Sequence, residues 1–143
     1  MARILAVSSG GGHWQQLKLL DAAMEDAEVV YACSADVGEP TVLRVPDCNL
    51  RTPRRLVLGL LAAWRLVRSV RPDVVVSTGA APGALALIVA KLLGCRTVWI
   101  DSIANAECMS LSGRLTRCFA DLWMTQWETV SERSGAVYVG AVL

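Results

Sequence analysis

Short, continuous apolar runs that alternate with helix-forming segments are the feature that most restricts the fold of this chain. The runs are ARILAV (2–7), AEVVYAC (27–33), DVVVSTG (73–79) and CRTVWID (95–101). Strands buried on both faces read as solid apolar runs, which is typical of parallel sheets covered by helices. The alternation therefore predicts an α/β fold built on a doubly wound parallel sheet with right-handed crossovers.

Helical periodicity and turn residues give the remaining elements. Thr52 and Pro53 form an N-cap followed by proline at the first helical position, and Pro72 ends that helix near Val70. The predicted helices are 13–26, 53–70, 81–94 (capped by Gly94) and 112–122. Two more strands are predicted at 123–127 and 135–140, and a short one at 41–45 within an irregular stretch from 34 to 50.

Composition limits the function classes. The 143 residues predict one domain, 1–143, and the net charge of +1 argues against a nucleic-acid surface over the whole molecule. A hydrophobic content of 54% fits either a buried parallel sheet or an apolar face kept exposed for a partner or membrane. The five cysteines are odd in number and lack CxxC spacing, which indicates reduced core thiols and no metal site.

Three polar clusters follow predicted strands: Ser8 to His13, Ser77 to Pro82, and Asp101 to Asn105. The carboxyl ends of parallel strands meet at one edge of the sheet, and ligands of doubly wound sheets bind in the crevice there. We therefore expect these clusters to converge in space, although they are distant in sequence.

The glycine loop of the first cluster offers bare backbone at a helix start. It departs from GxGxxG and lacks the GK[ST] of a phosphate-binding loop, so a nucleotide cofactor is disfavoured and none is expected. His13 could be a general base, because imidazole exchanges protons near neutral pH, or a helix-cap residue that orients the loop. Asp101 could orient His13, bind a sugar hydroxyl or cap the next segment.

An arginine-rich segment runs from Arg51 to Arg71, with no acidic residue between Asp47 and Asp73. Its apolar interior, LVLGLLAAW (56–64), is shorter than the ~20 residues that cross a bilayer. The pattern fits an interfacial helix drawn to anionic lipid, or a core helix with arginines on its exposed side. The candidate membrane-binding residues are Arg51, Arg54, Arg55, Leu56, Leu60, Trp64, Arg65 and Arg68.

Three stretches together resemble a known family: SSGGGHWQQLKLL (8–20), VVVSTGAAPGALALIVAKLLGCRTVWIDSIA (74–104) and SLSGRLTRCFADLWMTQW (110–127). They are similar to the oligosaccharide-biosynthesis proteins of the Alg14/PssD type, the N-terminal half of a split GT-B glycosyltransferase. They are also similar to the N-terminal domain of the MurG peptidoglycan GlcNAc transferase.

The resemblance implies a Rossmann-like acceptor domain whose partner subunit carries the donor site, with UDP-GlcNAc as the shared donor. The acceptor would be a lipid-linked glycan at the cytoplasmic face of the plasma membrane, where the chain would be peripheral. Transfer would be inverting and metal-free, and this chain alone would be nearly inactive. The alternatives are a non-catalytic membrane scaffold for the catalytic subunit and an unrelated nucleotide-binding protein.

The resemblance also implies roles for single residues. Gly11, Gly12 and His13 match a glycine–glycine–histidine loop that faces donor diphosphate and acceptor, with the histidine as candidate base. Asn105 stands where many members have arginine, and Gln126 with Trp127 matches a Gln-Trp pair. The candidate catalytic residues are His13 and Asp101. The candidate substrate-binding residues are Ser9, Gly10, Gly11, Gly12, Ser77, Thr78, Gly79, Ser102 and Asn105.

Overall fold

The computed structural model describes residues 1–142 as a six-stranded parallel sheet with helices on both faces. The strands are β1 (Arg3–Ser8), β2 (Glu28–Cys33), β3 (Leu43–Arg44), β4 (Val74–Ser77), β5 (Arg96–Ile100) and β6 (Leu122–Met124). The helices are α1 (Gly12–Lys18), α2 (Pro53–Val70), α3 (Ala80–Leu92), α4 (Leu111–Thr116) and α5 (Glu128–Ser134). The predicted α/β class and doubly wound parallel sheet are confirmed.

The strand order is β3-β2-β1-β4-β5-β6, and each neighbouring pair is parallel. The order reverses between β1 and β4, the position at which doubly wound sheets open a ligand crevice. Val7 is in register with Ser77, which is in register with Trp99, so the three central strands end almost level. The loops that follow these strands therefore start from one edge of the sheet.

Alternate residues of the central strands pack into two hydrophobic cores, one on each face of the sheet. Leu5, Val7 and Val75 pack against α2 and α3 on one face of the sheet. Ala6 and Val76 face the other way and pack with Leu17 of α1. A third cluster joins Trp99, Leu87, Met109 and Val130. Strands with apolar residues on both sides produce the solid apolar runs of the sequence, because each face is covered.

Two predicted helices are shorter in the structure. The helix predicted for 13–26 ends at Lys18, and a 3-10 turn follows over Asp21–Met24. Asp21 accepts a hydrogen bond from Tyr31 Oη at 2.5 Å and pairs with Lys18, which ties this turn to β2. The helix predicted for 112–122 ends at Thr116, because the chain turns there to reach β6.

The prediction of a last strand at 135–140 is wrong. This segment makes a single β-bridge, Val137 with Met124. Before it lies α5, which the sequence did not reveal because Val130 is the one buried residue of that helix. The core-thiol expectation holds for Cys33 and Cys48 and is wrong for Cys108 and Cys118, which are exposed.

Candidate functional site

A cavity of about 410 Å³ opens at the carboxyl edge of the sheet, beside the point where the strand order reverses. It receives residues from each of the three polar clusters, so their predicted convergence is confirmed. The lining comprises His13, Cys48, Asn49, Leu50, Arg51, Ala80, Ala81, Ser102, Ala104, Asn105, Ser110, Leu111 and Ser112. We call this space the edge cavity.

Thr78, directly after β4, fixes the position of His13 in the first turn of α1. Its Nδ1 lies 3.2 Å from the carbonyl oxygen of Thr78, and Thr78 Oγ1 donates to the His13 carbonyl at 2.7 Å. A carbonyl oxygen can only accept a hydrogen bond, so Nδ1 carries the proton in this arrangement. Nε2 of the neutral imidazole is then the nitrogen with a free lone pair.

The turn after β4 is shaped to receive the His13 ring. Gly79 has φ 144°, and a Cβ built on it would collide with the imidazole. The next residue, Ala80, lines the edge cavity and has φ 65°, a conformation that costs energy for a residue with a side chain. Gly79 is thus needed for close approach as well as for its backbone angle.

Ser77 and Thr78 are structural parts of this turn. Ser77 is fully buried and its Oγ accepts a hydrogen bond from the Gly79 amide at 3.2 Å. Thr78 is also buried, and its hydroxyl donates a hydrogen bond to the carbonyl oxygen of His13. Both side chains lie outside the lining of the edge cavity, and the substrate contacts expected of them stay a prediction.

The glycine loop lies beside the cavity, and neither Ser9 nor its glycines belong to the lining. Gly11 has φ 67°, and a Cβ on Gly11 or Gly12 would meet open space. A Cβ on Gly10 would collide with the Ala35 side chain. The loop therefore needs Gly11 for its backbone angle and Gly10 for close packing, whereas Gly12 meets neither requirement; Gly11 and Gly12 are both exposed.

A buried amide network fixes the loop after β5 against α1. Gln16 Nε2 donates to Ser102 Oγ at 3.1 Å, and Gln16 Oε1 accepts from the Ile103 amide and from Gln126 Nε2 at 2.7 Å. Sequence reasoning missed Gln16, whose signal is its position one turn after His13 on the same helix. Ser102 keeps its hydroxyl proton available to the edge cavity, which it lines.

Asp101 is held in a buried hydrogen-bond network. It is 1% exposed and absent from the lining. Its Oδ1 accepts hydrogen bonds from Trp99 Nε1 at 3.1 Å and Ser110 Oγ at 2.6 Å, and its Oδ2 accepts from the Ser110 amide at 2.9 Å. Through these bonds Asp101 ties both ends of the 101–110 loop together, and its expected catalytic role stays a prediction.

Arg51, one of the candidate membrane-binding residues, is exposed and also lines the edge cavity. Asn49 Oδ1 accepts hydrogen bonds from the Arg51 and Thr52 amides at 3.0 and 2.9 Å, which fixes this turn before α2.

Burial and the Asp47 carboxylate raise the pKa of the neighbouring Cys48 thiol, which keeps the thiol protonated.

The outer face of α2 is apolar and ringed by arginines. Val57, Leu58, Leu61 and Trp64 are 56%, 59%, 50% and 45% exposed, and Leu60 is also exposed. Leu56, one of the expected membrane residues, instead packs against the core. Arg54, Arg55, Arg65 and Arg68 are exposed on the same helix. Within residues 1–142, no helix has the length and apolarity to cross a bilayer.

Comparison with known proteins gives a family and a fold. The model of the family described as "Oligosaccharide biosynthesis protein Alg14 like" matches residues 40–142. The "UDP-N-acetylglucosamine transferase subunit ALG14" of Mus musculus is 31% identical, covering 57% of this chain and 41% of that protein. An undecaprenol N-acetylglucosamine transferase of Salinibacter ruber is 33% identical, covering 64% of this chain and 30% of that protein. The chain thus spans less than half the length of either relative.

Among solved structures, MurG of Acinetobacter baumannii superimposes with a TM-score of 0.78 at 12% identity, over 100% of this chain and 46% of that one. The UDP-GlcNAc 2-epimerase of Methanocaldococcus jannaschii superimposes with a TM-score of 0.69 at 14% identity, over 93% of this chain and 42% of that one. At these identities the likeness concerns the fold.

Proposed function

This chain belongs to the family of Alg14-like oligosaccharide biosynthesis proteins, and we propose that it is the acceptor-binding, membrane-recruiting subunit of a two-chain glycosyltransferase. The reaction would move GlcNAc from UDP-GlcNAc to a lipid-linked glycan. Residues 1–143 would form a single acceptor domain, and a separate chain would supply the donor site. The names of the curated relatives support this assignment: one is a UDP-N-acetylglucosamine transferase subunit, and the other is a pyrophosphoryl-undecaprenol N-acetylglucosamine transferase.

His13 would be the general base. Direct displacement at the sugar C1 needs the acceptor hydroxyl to lose its proton as UDP departs. The hydrogen bond between His13 Nδ1 and the Thr78 carbonyl supports this role, because it leaves Nε2 able to accept that proton. Asp101 would act as a positioning residue that holds the 101–110 loop, since its oxygens are already hydrogen bonded.

Arg51 would bind the phosphate groups of the acceptor. It is the one lining residue of the edge cavity with a permanent positive charge, and a guanidinium group pairs with phosphate through two parallel hydrogen bonds. Ser102 and Asn105 would bind sugar hydroxyls on the facing wall. The backbone amides of the exposed residues Gly11 and Gly12 would donate hydrogen bonds to the departing diphosphate, because preorganised donors stabilise developing negative charge.

The lipid part of the acceptor would leave the cavity along α2. Arg51 precedes Pro53, Arg54, Val57 and Leu58, which line an open apolar groove of about 450 Å³. The exposed apolar residues of α2 would enter the lipid interface, and the flanking arginines would attract anionic headgroups. This arrangement would place the edge cavity at the membrane surface, on its cytoplasmic face.

The position of His13 carries the proposal, in a cavity shared with Arg51 and next to an exposed apolar helix face. The test is transfer from UDP-GlcNAc to a lipid-linked acceptor, with this chain alone and with its candidate partner. His13→Ala is compared with Gln15→Ala, which removes an exposed neighbour on the same helix. Complex formation is measured for each variant by size-exclusion chromatography.

We expect transfer only with both chains present, and a loss of about a hundredfold or more in His13→Ala while the complex still forms. Gln15→Ala should retain the activity of the native pair. Full transfer activity from the partner alone, or unchanged activity of the pair that contains His13→Ala, would mean that this chain is a membrane scaffold. Tight binding of a free nucleotide by this chain alone would support the third reading, an unrelated nucleotide-binding protein.

A further inference from the structure

A second cavity, of about 510 Å³, lies between α4, α5 and β6. Three arginines line it, Arg114, Arg117 and Arg133, together with Glu107, Cys108, Met109, Trp123, Val130 and Ser134. We call it the arginine cavity. It shares no lining residue with the edge cavity, because the segment from Glu107 to Ser112 runs between them and contributes Met109 to one and Ser110 to the other.

The arginine cavity has a strong excess of positive charge. Glu107 is its one acidic lining residue, and the four ion pairs formed within the described part of the chain use none of the three arginines. Each arginine lies at the C-terminal end of a short helix, where a cation is weakly favoured. That preference accounts for single arginines and does not account for three of them around one cavity.

Trp123 holds one of these arginines in place. The Arg117 guanidinium lies 5.2 Å from the centre of the Trp123 ring, and Trp123 Nε1 donates to the Gly113 carbonyl at 2.7 Å. Stacking on a fixed ring keeps a guanidinium oriented, so less freedom is lost when it binds a ligand. Arg117 also lies beside the turn at Gly135, where α5 ends.

The remaining walls are apolar. Met109 and Val130 are buried core residues, and the Trp123 ring is half-buried. A cavity of a few hundred Å³ with apolar walls and a few convergent charged groups is the usual form of a small-molecule site. Guanidinium groups match the oxygens of a phosphate group in geometry and charge.

We propose that the arginine cavity is a second binding site, for a phosphate or diphosphate group carried on an apolar body. Two sources offer this chemistry: the headgroup of an anionic phospholipid and a free phosphorylated metabolite. The site is independent of the edge cavity and of the transfer reaction proposed for it.

The experiment is a titration of the full chain with inorganic pyrophosphate at constant ionic strength, followed by the ¹H–¹⁵N signal of the Trp123 indole. Trp123→Phe assigns that signal, and the buried Trp99 indole reports that each variant is folded. Pyrophosphate entering the edge cavity would instead move the His13 ring signals. The test is thereby separate from the transfer assay with His13→Ala.

We expect saturable movement of the Trp123 signal, with a dissociation constant raised about tenfold by Arg117→Gln and by Arg133→Gln. Arg133→Gln leaves the ring contact of Arg117 intact and keeps the test valid if Arg117→Gln disturbs Trp123. Glu107→Gln should bind about two- to fivefold more tightly, because it removes the opposing charge. Arg96→Gln, an exposed arginine on β5, is the matched control and should change binding by less than about twofold.

A Trp123 signal that does not saturate, or that saturates equally in all four variants, would overturn the proposal. An equal loss in Arg96→Gln would also overturn it, because that result means attraction to net charge alone. Cosedimentation with phosphatidylcholine vesicles, with and without phosphatidic acid, separates the two sources. The α2 face is intact in every variant, so weaker sedimentation of Arg133→Gln than of Arg96→Gln on the phosphatidic acid vesicles identifies the headgroup, whereas equal sedimentation of the two with weakened pyrophosphate binding identifies a free phosphate.

Discussion

Replacing Asp101 by alanine should destabilise the protein without removing any group from the edge cavity. The substitution leaves three donors without their acceptor: the buried Trp99 Nε1 and the half-buried Ser110 amide and Ser110 Oγ. Each buried donor left unpaired costs about 1–3 kcal/mol. Because the Ser110 hydroxyl can rotate to another partner and a water can enter, we expect a total loss of about 3–5 kcal/mol.

A loss of this size is a large part of the ~5–15 kcal/mol that stabilises a domain. The melting temperature should fall by about 10–20 °C for a chain of this length. The assay is urea unfolding at neutral pH, followed by circular dichroism and supported by a thermal melt. Asp26→Ala is the control, since Asp26 is exposed, and it should change stability by less than about 0.5 kcal/mol.

Asp101→Asn separates positioning from catalysis. The asparagine keeps one acceptor oxygen and turns an NH₂ group toward a donor, so it should fold with a loss of about 1–3 kcal/mol. A positioning role predicts that the folded variant keeps the native pH profile of transfer, with a weaker apparent affinity for acceptor. The reasoning would be refuted if Asp101→Ala unfolded within about 1 kcal/mol of the native protein.

Two further predictions concern the His13 turn and the outer face of α2. Gly79→Ala should lower the rate of transfer by at least about tenfold, because its Cβ would displace the His13 imidazole. Gly38→Ala is the control: Gly38 also has a positive φ but faces open space, so this variant should lose stability and keep its activity. Equal losses of activity in the two variants would contradict this account. Leu58→Asp should weaken cosedimentation with anionic vesicles about tenfold, since a leucine that is 59% exposed would no longer enter the lipid. Leu92→Asp, at a 70% exposed leucine of α3, is the control and should leave sedimentation unchanged.

The order of elements and the location of the site could be predicted from the sequence. Apolar runs and helical periodicity report burial on the faces of local elements, and local burial is enough to define strands β1, β2, β4 and β5. The carboxyl-edge rule then brings three loops together without any knowledge of side chains. The helix predicted for 112–122 corresponds to α4 and was drawn too long, whereas the polar α5 was missed, because Val130 is its one buried residue and gives no periodic signal.

By itself, the sequence determined that His13 follows a glycine loop at the edge of a parallel sheet, next to an arginine-rich amphipathic helix. Tertiary structure alone decided which side chains face the edge cavity. Gln16 contacts Ser102 and Gln126 across separations of 86 and 110 residues, and Arg51 lines the cavity whereas Asp101 does not. Side-chain direction at loop residues depends on such long-range contacts, since no regular backbone period fixes it.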